Sequence, residues 1–314
     1  MGCPHQCVFC NQNAIAGRPV SLEEVTEQIR IGLQKCAPAI PQVAFYGGSF
    51  TALSDEAQTA YLDAVQPFLK NGSVREIRLS TRPDAIDEAC AARLFAAGVR
   101  EIELGAQSME NPVLLASGRG HTAEDTRIAS RIIKKFGFRL VLQMMVGLPG
   151  ETSSKTTAHE IISLAPDAVR IYPVAVVKGT PLELLWREGQ YQPLTLEQGV
   201  SICADLLELF SEHGIAVIRM GLHPTLELDH AVCAGVYHPA FGELVRSECF
   251  YRKARTILEK TEREQILMVH PSRLSCMIGQ KKKNLIRLKE EFGQNIRVIT
   301  GTVDENEIKR TSQE

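Results

Sequence analysis

Met1-Gly2-Cys3-Pro4-His5-Gln6-Cys7-Val8-Phe9-Cys10-Asn11-Gln12 sets three cysteines in the pattern C-x3-C-x2-C. Clustering of this kind points to metal rather than to disulfide. Three thiolates on one tight loop suit three corners of a cubane iron–sulfur cluster, with the fourth iron left open. Zinc is the competing occupant, because Cys3, Cys7, Cys10 and His5 together offer four ligands of the right kind. His5 lies inside the cysteine span, however, where closing a tetrahedron is awkward. The remaining cysteines, Cys36, Cys90, Cys203, Cys233, Cys249 and Cys276, have no close spacing. They read as free thiols in a reducing compartment.

Downstream of this loop, β-rich and helical stretches alternate. Strand-like segments are Gln42–Tyr46, Ser73–Ser80, Val99–Leu104, Phe138–Met145, Ala168–Val174 and Ile215–Arg219. Helical patterns fill the intervals: Ser21–Lys35, Ser54–Leu69, Asp87–Ala97, Thr122–Phe136, Ser153–Leu164 and Thr195–His213. Ser21 and Thr195 open their helices as N-caps with an acid or amide three residues on. Gly98, Gly137 and Gly214 come after helices just before strands, where a left-handed residue is wanted. Such alternation predicts parallel strands with helices outside, as a doubly wound sheet or a full or partial barrel. In either, chemistry gathers at the carboxyl ends of the strands. Beyond about residue 245 the texture changes. Residues 248–264 are charged and read as a helical connector, and 265–301 as strand, turn, basic helix and strand.

The chain has 314 residues, enough for one large domain or for one large domain plus a small one, and its 44% hydrophobic and 23% charged residues are ordinary for a soluble globular enzyme. Its formal net charge of -2 gives no overall pull toward nucleic acid, so any such binding needs a local basic patch. No apolar run is long enough to span a membrane, and no signal peptide is evident, so a cytoplasmic protein is expected.

The cysteine loop and the segments downstream of it resemble the radical S-adenosylmethionine (SAM) superfamily. The nearer likeness is to the branch containing the Elongator catalytic subunit and oxygen-independent coproporphyrinogen oxidase. It rests on Tyr46-Gly47-Gly48-Ser49-Phe50-Thr51 after an apolar strand, Leu104-Gly105-Ala106-Gln107-Ser108, Gly118-Arg119-Gly120-His121 and Met145-Val146-Gly147-Leu148-Pro149-Gly150. Arg170-Ile171-Tyr172-Pro173, Gly179-Thr180-Pro181-Leu182 and Arg219-Met220-Gly221-Leu222-His223-Pro224 continue it.

The resemblance implies an α/β fold, a partial (βα)6 TIM-like barrel. It implies a 4Fe–4S cluster on Cys3, Cys7 and Cys10, shielded at its edge by Phe9. SAM would be held by Gly47, Gly48 and Ser49, by Gln107 at the ribose, by Arg119 at the carboxylate and by Gly147 at the adenine. Arg170, Tyr172, Arg219 and His223 become substrate-side candidates, and a flavodoxin or ferredoxin the electron donor. The expected organisation is a core over 1–165, an Elongator-type extension over 166–247, a helical linker over 248–264, a small domain over 265–304 and a tail over 305–314. The family's first barrel strand precedes the cysteines. Only Met1 and Gly2 stand there, so that strand is expected to be missing, with an open sheet edge as the result. No acetyltransferase domain of the Elongator kind is expected either.

His270-Pro271-Ser272-Arg273-Leu274-Ser275-Cys276-Met277-Ile278-Gly279-Gln280-Lys281-Lys282-Lys283-Asn284 resembles a KH RNA-binding module. Such modules clamp nucleotides with a G-x-x-G loop between two helices. Gly279 matches the first glycine and Lys282 stands where the second belongs. The alternatives are a lysine-rich solvated helix and a degenerate RNA contact through Gly279, Lys281, Lys282 and Lys283. On the whole sequence, tRNA or another RNA is the leading substrate class. A tetrapyrrole-like small molecule and a non-catalytic, zinc-stabilised RNA-binding protein are the competing readings.

Overall fold

A computed structural model describes residues 5–11, 20–261, 263–293 and 295–311. All six expected strand segments form strands of one parallel sheet: β1 (Gln42–Phe45), β2 (Glu76–Thr81), β3 (Val99–Gln107), β4 (Arg139–Val146), β5 (Ala168–Pro173) and, beyond the short β6 (Ala175–Val177), β7 (Ala216–Met220). Their order is β1-β2-β3-β4-β5-β7, a half-barrel with β1 at one edge. Among the described residues no strand precedes β1. β6 pairs with β8 (Val232–Gly235) in a separate antiparallel ribbon.

Helices α1 (Leu22–Cys36), α2 (Asp55–Lys70), α3 (Glu88–Ala96), α4 (Asn111–Ala116), α5 (Ala123–Lys135), α6 (Ser154–Ser163), α7 (Pro181–Arg187), α8 (Leu196–Glu212) and α9 (Leu226–Ala231) fill the connections. Ser21 caps α1 as expected: its hydroxyl accepts from Glu24 N at 3.2 Å, and Glu24 answers by accepting from Ser21 N at 2.8 Å. Thr195 and Gln198 make the same reciprocal pair at α8. Gly98, Gly137 and Gly214 take the left-handed conformation expected of them.

The two faces of the sheet differ in kind. Ile77, Leu79, Ile102, Leu104, Leu140, Leu142, Met144, Val169 and Ile171 are fully buried on one face. The alternate positions carry Glu76 and Arg78, Glu101 and Glu103, Arg139 and Gln143, Arg170 and Tyr172. Side chains alternate across a strand, so one face is a core and the other a charged lining. Parallel strands covered on both faces read as near-continuous apolar runs. This sheet is covered by apolar packing on one face only.

The chain forms two compact units, one of Met1–Leu194 with Phe210–Tyr237, the other of Thr195–Leu209 with His238–Glu314. The second contains α10 (Phe241–Ile257), β9 (Gln265–Val269), α11 (Leu274–Ile278), α12 (Lys283–Phe292), β10 (Ile296–Thr300) and β11 (Ile308–Thr311). Its sheet runs β10-β9-β11, parallel on the first side and antiparallel on the second. Residues 248–257, expected from sequence to be part of a connector, instead build this unit's core. Phe250, Tyr251, Ala254 and Leu258 pack with Leu267, Val269, Cys276, Met277, Leu288 and Ile296.

Between α11 and α12, Gly279 has φ +77, and a Cβ there would stand 3.0 Å from Asn284 N and 3.1 Å from its Cγ. Asn284 is buried and donates to Ser247 O at 2.7 Å and Cys276 O at 3.2 Å. Asn284→Ala leaves both carbonyls without that donor. A loss of about 2 kcal/mol is expected in denaturant unfolding tracked by a probe in this unit. Lys281 and Lys282 both take positive φ, +51 and +63, so Lys282 adopts the left-handed state that a second glycine would take freely.

Candidate active site

The described part of the cysteine loop, 5–11, is seated on two segments that come after barrel strands. Val8 N donates to Ser117 O at 3.0 Å, Leu182 N donates to Val8 O at 2.8 Å, and the Asn11 amide donates to Lys178 O at 3.1 Å. Gly118 and Gly120 make the close approach possible. A Cβ on Gly118 would lie 3.2 Å from Gln6 O, and one on Gly120 would lie 2.5 Å from the His5 ring. His5 Nε2 lies 3.7 Å from Asp84, which Arg82 holds at 2.9 Å, and Arg82 also donates to Arg119 O at 2.6 Å. Phe9 packs with Val8 against Val113, Leu148, Val174, Val176 and Leu182.

Cys7 is buried and Cys10 half-buried, with Cys10 N donating to Cys7 O at 3.0 Å. Cys3 lies outside the described residues. The Arg119 guanidinium donates through Nη1 to Cys7 Sγ at 3.4 Å and through Nη2 to Gly105 O at 2.5 Å. Both of its terminal nitrogens therefore have partners within the chain.

Around this loop the carboxyl ends of the strands carry buried polar groups, and several of them have no partner among the described residues. Ser49, beside Gly47 and Gly48 after β1, is buried, with its hydroxyl 2.9 Å from Thr81 Oγ1 and accepting from Arg82 N at 3.2 Å. Gln107 ends β3 at φ +65, a strained state for a side-chain-bearing residue, and only 8% of its surface is exposed. Its Oε1 has no hydrogen-bond partner among the described residues, and the same holds for Glu110 Oε1, Ser117 Oγ, Arg119 Nε, His121 Nδ1 and Glu151 Oε1. Buried polar groups are normally paired. Orphans concentrated after β3 and β4 fit the seat of a polar ligand. Gly147, after β4, gives its N–H to Glu151, and its carbonyl accepts from Tyr191 OH at 2.6 Å. Burial raises the Glu151 carboxyl above its ordinary range, opposed by the N–H groups of Gly147 and Leu148.

On the polar face, Glu103 is the hub, and sequence reading does not single it out. It is nearly inaccessible, and it pairs with Arg170 Nε at 3.0 Å and Arg78 at 3.4 Å, accepts from Tyr46 OH at 2.9 Å, and accepts from Gln143. Arg170 Nη1 donates to Tyr172 OH at 3.4 Å. Burial raises both the Tyr46 and the Tyr172 phenol. Arg219 stands opposite Arg170 in the strand register and reaches His223 Nδ1 at 3.1 Å. The four substrate-side candidates thus lie on β5 and on β7 with the loop after it. The signal that could have found Glu103 is the charge at every second position of β2 and β3.

His121 Nε2 lies 3.2 Å from Ala106 O, and burial, with Arg119 and Arg82 close by, lowers its pKa to about 4. Unfolded chains protonate histidine near pH 6.5. Between pH 6.5 and 4 the unfolded state therefore binds the extra proton, and stability is lost as pH drops through that window. His121→Gln is expected to remove about 2 kcal/mol of this acid sensitivity, read as the difference between unfolding free energies at pH 7 and pH 4.5.

A half-barrel of parallel strands with a cysteine loop docked at their carboxyl ends defines a class of enzyme. The chain belongs to the radical SAM superfamily, whose model matches residues 1–160; the Radical_SAM C-terminal domain model matches 166–250. It is accordingly a radical SAM enzyme, and its cofactors are a 4Fe–4S cluster and SAM.

Among its relatives, a tRNA uridine(34) acetyltransferase of Methanocaldococcus infernus is 31% identical over 155 residues, 47% of this chain and 29% of that protein. An uncharacterized protein of Methanocaldococcus jannaschii is 30% identical over 68% of this chain and 70% of its own length. Human Elongator complex protein 3 is 27% identical over 56% of this chain and 37% of its own length. The match thus spans only about a third or less of the acetyltransferase and Elongator relatives. The structure of Methanocaldococcus infernus Elp3 superposes with a TM-score of 0.61 at 24% identity, covering 74% of this chain and 59% of the other. Coproporphyrinogen III oxidase of Escherichia coli gives 0.50 at 18%, covering 68% and 51%. Both show a shared fold. No helix among the described residues is long and apolar enough to cross a membrane.

Proposed function

We propose that this enzyme uses radical SAM chemistry to modify RNA, with tRNA the substrate class, in the cytoplasm. In this reading Cys3, Cys7 and Cys10 hold the cluster, which when bound supplies the electron that cleaves SAM to methionine and a 5′-deoxyadenosyl radical. Gly47, Gly48, Ser49 and Gly147 line the SAM cradle. Gln107 offers its orphan Oε1 to the ribose hydroxyls, and Arg119 offers Nε to the methionyl carboxylate. A flavodoxin or ferredoxin supplies the electrons.

The observation that carries the reading is the juxtaposition of the cysteine loop, the unsatisfied buried polar groups and a charged sheet face. A polar lining beside the radical source suits a polar substrate rather than a greasy one. Similarity to the tRNA uridine(34) acetyltransferases over part of their length supports tRNA as that substrate. Lys281, Lys282 and Lys283, all exposed in the second unit, supply a KH-like contact for the phosphate backbone.

The test is mass spectrometry of nucleosides from tRNA incubated anaerobically with the reconstituted, reduced enzyme and SAM. A SAM-dependent mass change in one nucleoside is expected. Consumption of SAM with every nucleoside unaltered would redirect the assignment to a small molecule.

A further inference from the structure

Three of the four arginines on the polar sheet face have glutamates of their own. Arg78 pairs with Glu101 at 2.9 Å and with Glu103, Arg139 with Glu76 at 2.6 Å, and Arg170 with Glu103 at 3.0 Å. Arg219 is the exception: among the described residues no carboxylate lies within ion-pair distance of it. Its Nε donates to Gly221 O at 3.3 Å, and its Nη2 meets His223 Nδ1 at 3.1 Å. Arginine has donors only and does not lose its proton. In this hydrogen bond Nδ1 of His223 is the acceptor, and Nε2 is the ring nitrogen that faces away from Arg219. The ring is exposed, so Nε2 is open to a ligand.

A guanidinium and an imidazole thus meet at the carboxyl end of β7 and the loop after it, and no anion of the described chain answers the guanidinium. We propose that Arg219, with His223, is the seat of a phosphate group of the substrate. A charge on the rim of a polar lining, supplied with donors and lacking an acid, is matched by an anionic oxygen group brought from outside. The phosphate is either a backbone phosphodiester of RNA or a phosphoryl group on a small molecule. The inference rests on the reading of this sheet face as the substrate side.

Wild type, Arg219→Gln and Arg219→Lys would be titrated with two probes: a fluorescein-labelled single-stranded RNA, read by anisotropy, and inorganic phosphate, read by calorimetry. Melting curves would establish that each variant is folded. Arg219→Gln is expected to weaken RNA binding about tenfold and to flatten its salt dependence by about one phosphate contact, with Arg219→Lys intermediate. If the variant loses phosphate binding while RNA binding is unchanged, the phosphate seat stands but takes a small molecule's phosphoryl group rather than an RNA phosphodiester. If RNA binds the wild type and both variants equally, and phosphate does too, the seat is overturned while RNA remains the substrate.

Discussion

Cys7→Ala is expected to leave the protein folded but unable to hold its cluster, with iron and sulfide per chain falling more than about tenfold after anaerobic reconstitution. Cys7 is the best-seated thiol of the loop's described residues: 3% exposed and accepting a hydrogen bond from Arg119. Removing it deletes a proposed ligand of the cluster, and it also strands a buried guanidinium nitrogen. The surrounding seat, from Val8 on Ser117 to Leu182 on Val8, is made by backbone groups that the substitution does not touch. Circular dichroism should therefore be unchanged while the iron–sulfur absorbance disappears. A variant carrying the full complement of iron and sulfide would remove Cys7 from the ligand set. Retained zinc with no sulfide in the wild type would restore the zinc alternative.

Glu103→Ala carries the other large effect, on stability. Its carboxylate is 2% exposed and answers Arg78, Arg170, Tyr46 and Gln143. Deleting one member of a buried charge network leaves the others desolvated and unpaired, which costs about 3–5 kcal/mol. Glu103→Gln keeps the shape and some of the hydrogen bonds, so its loss is expected to be smaller. Urea unfolding of both variants gives the comparison, and equal stability of Glu103→Ala and wild type would mean that water, not Glu103, satisfies the lining.

The strands of the first unit are legible in the sequence because helices end on left-handed glycines such as Gly98 and Gly137 just before an apolar strand. The polar lining is written in the same letters but is easily missed. Glu76-Ile77-Arg78-Leu79 and Glu101-Ile102-Glu103-Leu104 alternate charge and hydrocarbon, a period-two pattern that parallel strands covered on both sides do not show. Which arginine meets which glutamate is beyond sequence reading, since it depends on register: Arg78 lies opposite Glu101, and Arg170 opposite Arg219. The contact of Arg119 with Cys7 is hidden for a related reason, because the residues are far apart in sequence and only the docked loop unites them. In the second unit, the charged composition of 248–264 masks Phe250 and Tyr251, whose burial makes that stretch core rather than connector.

This chain is expected to generate a radical from SAM. The direct measurement is 5′-deoxyadenosine, counted by mass spectrometry after anaerobic reconstitution with iron and sulfide, reduction and addition of SAM. The expected result is 5′-deoxyadenosine from wild type, abolished in Cys7→Ala. No 5′-deoxyadenosine from wild-type protein that demonstrably carries a reduced 4Fe–4S cluster and binds SAM would contradict it.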